Sequence, residues 1–125
     1  MAKILVIEDN PGNLKLTTLF LEKSGHGVLQ AMDAETGIVM AREHNPDMIL
    51  MDVQLPGVDG LVATTILKKD EKTKSIPIIA LTAHAMKGDE KRMLEAGCDG
   101  YLAKPLRREL LVNEVNRWLQ PPGNL

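Results

Sequence analysis

Short β-branched apolar runs alternate with longer stretches of helical spacing along the whole chain, and this alternation is what most limits its fold. The short runs fall at residues 3–7, 27–32, 48–51, 76–81 and 100–102. Between them, residues suited to one buried face recur three and four positions apart, the spacing of a helix. They are Leu14, Thr18 and Leu21, then Ala34, Ile38 and Ala41, then Val62, Thr65 and Ile66, and last Leu111, Val115, Trp118 and Leu119. The more charged stretch 86–96 is expected to be the fourth helix. Punctuation marks the borders. Ser24-Gly25-His26-Gly27 ends the first helix and Asn45-Pro46 the second. Thr73-Lys74-Ser75-Ile76-Pro77 separates the third helix from a strand, and Glu95-Ala96-Gly97 closes the fourth.

Five β–α units in a row imply an α/β fold. The parallel sheet would carry helices on both faces, joined by right-handed crossovers. The first, third and fourth runs are continuously apolar, as strands buried on both faces should be. With 125 residues the chain suits one domain, and its 44% apolar content argues against global disorder. The formal net charge of −2, with both signs interspersed, disfavours a nucleic-acid surface. Cys98 is the only cysteine, so an internal disulfide is excluded, and the residue reads as a small packed side chain. The N-terminal residues do not form a signal peptide and no apolar run reaches the ~20 residues of a membrane span, so a cytoplasmic location is expected. Residues 1–120 read as the domain and 121–125 as a flexible tail.

In open α/β sheets the functional crevice lies beyond the carboxyl ends of the strands. Glu8-Asp9-Asn10 follows the first strand, Asp52 the third, Thr82-Ala83 the fourth and Lys104-Pro105 the fifth. Three carboxylates on one rim repel one another unless a cation shares the site. An all-oxygen cluster favours a hard divalent ion, with Mg²⁺ the best fit and Mn²⁺ the alternative. Asp52, ending a buried apolar strand, is costly without a partner or a task. An aspartate there can act as a nucleophile toward phosphorus. Lys104 and the Thr82 hydroxyl would hold phosphoryl oxygens. Each residue also has a plainer reading: Glu8 and Asp9 as helix-capping acids, Lys104 as a surface lysine, Thr82 as a turn residue. Only their convergence favours the chemistry.

These motifs resemble those of the two-component response-regulator receiver domain. Val6-Ile7-Glu8-Asp9-Asn10 resembles its acidic pair, and the stretch from Leu50-Met51-Asp52 to Pro56-Gly57-Val58-Asp59-Gly60 its phosphorylation segment. Ala80-Leu81-Thr82-Ala83 resembles its threonine strand end. Gly97-Cys98-Asp99-Gly100-Tyr101-Leu102-Ala103-Lys104-Pro105 resembles its lysine–proline turn. The resemblance implies a (βα)5 doubly wound five-stranded parallel sheet of flavodoxin-like order 2-1-3-4-5. It implies Asp52 as phosphoacceptor, served by a histidine kinase or a phosphotransfer protein. It implies Mg²⁺ held by Asp9, Asp52 and the Gln54 backbone carbonyl, with Glu8 acting through water. The Gln54 side chain would then face the hydrolytic water. It further implies a cis Lys104–Pro105 peptide and a switch in which Thr82 moves toward the phosphate and Tyr101 turns inward. A plain half-buried aromatic is the other reading of Tyr101.

Phosphorylation would then change partner affinity at the face of helix 4, strand 5 and helix 5, with the protein a monomer or a weak phosphorylation-dependent dimer. The stretch Ala83-His84-Ala85-Met86-Lys87-Gly88-Asp89-Glu90 resembles stand-alone regulators of the cell-cycle type and also receivers of hybrid sensor kinases. His84 reads as a partner-facing loop residue, and His26 and His44 sit at turns. The start at Met1 and the short tail favour a stand-alone protein without a DNA-binding module. An aspartate-nucleophile phosphatase is disfavoured, because it would carry an acid where Gln54 stands. A flavodoxin-like cofactor carrier is disfavoured because Glu8 and Asp9 would repel the cofactor phosphate.

Overall fold

The structure, a computed structural model, describes residues 2–55, 57–83 and 87–119. Five strands alternate with five helices. They run β1 (Lys3–Ile7), α1 (Pro11–Lys23), β2 (Gly27–Ala31), α2 (Ala34–His44), β3 (Met48–Asp52), α3 (Gly60–Lys69), β4 (Ile78–Thr82), α4 (Lys87–Ala96), β5 (Gly100–Ala103) and α5 (Arg108–Leu119). All neighbouring strands are parallel, in the order β2-β1-β3-β4-β5. The alternation anticipated the parallel α/β sheet, and the resemblance its strand order.

Local chemistry accounts for the helix borders. Asn10 caps α1 by accepting from Asn13 N–H at 2.9 Å, with Pro11 in the first turn, where its missing N–H costs nothing. Asp33 caps α2 and Asp59 caps α3, each at 2.7 Å. Asn45 ends α2 in the left-handed region at φ 48, where asparagine is among the tolerated side chains. Pro77 lacks a donor, and β4 begins one residue after it, at Ile78 rather than at Ile76.

The sheet is packed on both faces. Leu5, Ile7, Ile49, Met51 and Ile78 meet Ala34 and Ala41 of α2 and Ala63 and Leu67 of α3. Ile4, Val6, Met48, Leu50, Ile79 and Leu81 meet Leu14 and Leu21 of α1 and Leu111 and Val115 of α5. A smaller cluster joins Leu61, Ala80, Met93 and Cys98, with Tyr101 packed against it. Cys98 is buried among these groups, as its plain reading implied.

Two helix faces differ from expectation. In α1 the fully buried position between Leu14 and Leu21 is Thr17, with Thr18 only half-buried and accepting from Gln30 Nε2 at 2.8 Å. In α3 the expected face is turned outward: Val62 and Ile66 are 52% and 41% exposed. The buried side is Gly60, Leu61, Ala63, Thr64 and Leu67. This helix carries apolar residues around most of its circumference, so periodicity alone did not fix its rotation. Its small residues let it lie close to the sheet, and the first turn is seated where only glycine fits. Among the described residues, no helix is long and apolar enough to cross a membrane.

Candidate functional site

The carboxyl ends of four strands assemble the rim. Glu8 lies one residue beyond β1, its N–H held at 3.0 Å by the Ala31 carbonyl of β2. Asp52 is the last residue of β3 and is 3% exposed. It lies in register with Leu81, so Thr82, the last residue of β4, stands one step further along the rim. Lys104 follows β5, and its backbone N–H donates to the Thr82 carbonyl at 2.7 Å. The peptide between Lys104 and Pro105 is cis.

The side chains converge. Lys104 Nζ lies 2.8 Å from Glu8 Oε1 and 3.1 Å from Asp52 Oδ2. Glu8, Asp9 and Asp52 form the acidic group able to hold a cation, with one oxygen from each within 4.8 Å of the others. Backbone donors pin two of these acids. Asn10 N–H reaches Glu8 Oε2 at 3.3 Å, and Gln54 N–H reaches Asp52 Oδ1 at 3.0 Å. Glu8 is 1% exposed, and its Oε1 has no hydrogen bond of good geometry, although the lysine ammonium is in ion-pair range. A buried acid oxygen met only by the lysine ammonium, beside two further carboxylates, suits a hard divalent cation.

Electrostatics follow from this crowding. Burial first, and then the neighbouring Glu8, pushes the Asp52 carboxyl up to about 7, against the Gln54 N–H and Lys104, which pull it down. Burial also works against ionisation of Glu8, but Asp52, Lys104 and the Asn10 N–H outweigh it and hold that group below its usual range. Burial disfavours the charged lysine as well, yet Glu8 and Asp52 together raise Lys104 above its ordinary value. The two buried acids therefore share a proton near neutrality, and that titration belongs to the pair.

Every residue singled out along the sequence for this rim lies on it. Tyr101 is half-buried on β5, in register with Ala80. A cleft of ≈ 190 Å³, lined by Val53, Gln54, Asp59, Thr82, Arg92 and Met93 among others, adjoins the acceptor loop. His26 accepts from the Ala2 N–H at 3.3 Å and His44 ends α2, so neither belongs to the site. His84, Pro56 and the expected tail at 121–125 lie outside the described residues.

Sequence reading assigned no role to Gly60. A Cβ there would collide with the carbonyl oxygen of Asp52 itself. The signal was an Asp-Gly pair directly before a helical stretch, which marks a cap without revealing what lies against it.

The description "Response regulator receiver domain" fits residues 4–116. The chain belongs to this family. It is 42% identical over 116 residues to the polar-differentiation response regulator DivK of Brucella ovis, a match covering 93% of this chain and 94% of that protein. Among solved structures, it resembles the receiver domain of a sensor histidine kinase from Pseudomonas aeruginosa PAO1, described with a magnesium ion coordinated in the active site cleft. That match has TM-score 0.88 and 39% identity, and covers 94% of this chain and 96% of that one. A response regulator from Chloroflexus aurantiacus matches with TM-score 0.92 and 30% identity, over 96% and 98% of the two chains. The protein is accordingly a DivK-like phosphoacceptor of two-component signalling, phosphorylated on aspartate by a kinase, and not a conventional enzyme.

Proposed function

We propose that Asp52 is the residue that accepts the phosphoryl group, and that Lys104, Thr82 and the acids Glu8 and Asp9 serve it. One observation carries this reading: the Lys104 ammonium lies between two buried carboxylates that arrive from different strands. A structural ion pair would need only one of them.

In the transfer, an Asp52 oxygen forms the new bond to phosphorus as the phosphorus–nitrogen bond of phosphohistidine breaks. The incoming group brings roughly −1.5 to −2 charges at neutral pH. Lys104 is placed to hold one phosphoryl oxygen, and the Thr82 hydroxyl to donate to another. The acidic cluster fits Mg²⁺, which Asp9, Asp52 and the Gln54 main-chain carbonyl would hold, with Glu8 acting through water. Mn²⁺ suits the same oxygens. When bound, the ion neutralises the phosphoryl oxygens. Gln54 lines the adjoining cleft, where its side chain would meet the hydrolytic water.

The signal would leave through the face made by α4, β5 and α5. Thr82 would follow the phosphate, and Tyr101 would turn toward the space vacated. Phosphorylation biases two existing states by their difference in interaction energy. The donor would be a histidine kinase or phosphotransfer protein, the output a protein contact in the cytoplasm, and the chain a monomer or weak phosphorylation-dependent dimer. Residues 1–120 would form the receiver.

The test is incubation with a small phosphodonor and Mg²⁺, followed by intact mass. One phosphoryl mass should be added to the native protein and none to Asp52→Asn. Equal modification of both proteins would remove Asp52 from the role.

A further inference from the structure

The acceptor's own peptide is held by the first turn of α3. Gly60 has an ordinary backbone angle, so a left-handed turn does not require glycine there. Space does: a Cβ at this position would overlap the Asp52 carbonyl oxygen and press on the Asp52 carbonyl carbon and Val53 Cα, each 3.0 Å away. Backbone cannot swing aside as a long side chain can.

Two further bonds fix this seat. Gly60 N–H donates to the Val53 carbonyl at 3.2 Å, closing the loop back onto the residue after the acceptor. Asp59 Oδ1 accepts from Leu61 N–H at 2.7 Å and squares off the helix start. From within the helix, the buried Thr64 hydroxyl donates to the Gly60 carbonyl at 2.9 Å. The Asp52 side chain is meanwhile oriented by Gln54 N–H, two residues along the same loop.

We infer that Gly60 is a positioning residue for phosphoryl acceptance, setting through direct backbone contact where the Asp52 carboxylate sits relative to Glu8, Asp9 and Lys104. This rests on the assignment of Asp52 as acceptor and adds to it. Any larger residue must displace the Asp52 peptide on the order of 1 Å, a misplacement that costs up to about a hundredfold in rate when it occurs at reacting groups.

Gly37 supplies the control. It is crowded too, though less severely, and a Cβ there would meet the Ile7 side chain rather than the acceptor backbone. Gly60→Ala and Gly37→Ala are compared by urea unfolding, by Mg²⁺ calorimetry, and by phosphorylation rate with a small phosphodonor, corrected to the folded fraction. Both substitutions should lower stability. Gly60→Ala alone should slow phosphorylation tenfold to a hundredfold and weaken Mg²⁺ binding several-fold, these being order-of-magnitude expectations. Native rate and Mg²⁺ affinity in folded Gly60→Ala would overturn the inference, as would equal losses in Gly37→Ala.

If Gly60→Ala does not fold, Asp59 decides. Asp59→Ala removes the cap without adding volume and should lower both readouts, whereas Asp59→Asn keeps a capping oxygen and should restore them. Native readouts in Asp59→Ala would then overturn the inference. Asp52→Asn is run alongside. If it is still phosphorylated, the acceptor assignment has failed. If it is inert while the decisive variant is native, only the role of Gly60 has failed.

Discussion

The proton shared by Asp52 and Glu8 makes metal binding depend on pH in a direction the site fixes. Asp52 is pushed up to about 7, chiefly by burial, so near pH 6 its carboxyl is mostly protonated. A divalent cation binds the ionised form and must expel that proton. Apparent Mg²⁺ affinity should therefore be nearly constant above pH 8 and fall about tenfold for each unit below about 7, roughly 1.4 kcal/mol per unit. Calorimetry at about pH 8 and about pH 6, in two buffers of different ionisation enthalpy, would read the affinity and the proton count together. Close to one proton should leave per ion at the lower pH and almost none at the higher. The same shift fixes the stability slope without metal. Asp52 has its folded pKa raised above the usual 3.8, so its contribution is fully present below that value and is lost as pH rises toward 7. Glu8, lowered from 4.5, acts oppositely, but below its own usual value. The window between the two should show stability falling as pH rises, and Asp52→Asn should flatten it. An affinity changing less than about twofold between those pH values, with no proton released, would refute the shared-proton reading.

Lys104→Ala should still bind Mg²⁺, because lysine is no metal ligand, but should slow phosphorylation and impair switching. Calorimetry beside intact-mass kinetics checks this, and lost metal binding would mean the lysine's role is misplaced. Lys68→Met removes ties to Asp99 and the Ile76 carbonyl, each at 2.8 Å, at the opposite end of β4 from Thr82. Urea unfolding should show a loss of about 1–2 kcal/mol, with phosphorylation rate unchanged. Leu67→Ala empties a fully buried position under α3 and should cost about 2–5 kcal/mol in the same unfolding assay.

Much was legible along the chain because it depends on residues close in sequence. The strand–helix alternation follows from side-chain period alone, and helix ends from local punctuation such as Asn45-Pro46, whereas the caps Asn10, Asp33 and Asp59 were identified only in the structure. The acids, the threonine and the lysine could be placed on one rim because a parallel sheet brings its carboxyl ends together whatever the packing details. The face of α3 was not legible. Val62, Thr65 and Ile66 share a helical spacing as good as that of the buried residues, and period does not say which stripe meets the sheet.

The tertiary structure decided the rest. The seating of α3 admits only glycine at position 60, because any side chain there would collide with Asp52, two residues eight apart whose contact no local propensity encodes. The bridging of Glu8 and Asp52 by Lys104 needs the separation between the two ends of the chain closed by folding. The raised titration of Asp52 needs burial, which belongs to the packed molecule. Residue type and order therefore determined which chemistry this protein carries. Long-range packing determined how closely its charges stand, and so how strongly each one acts on the next.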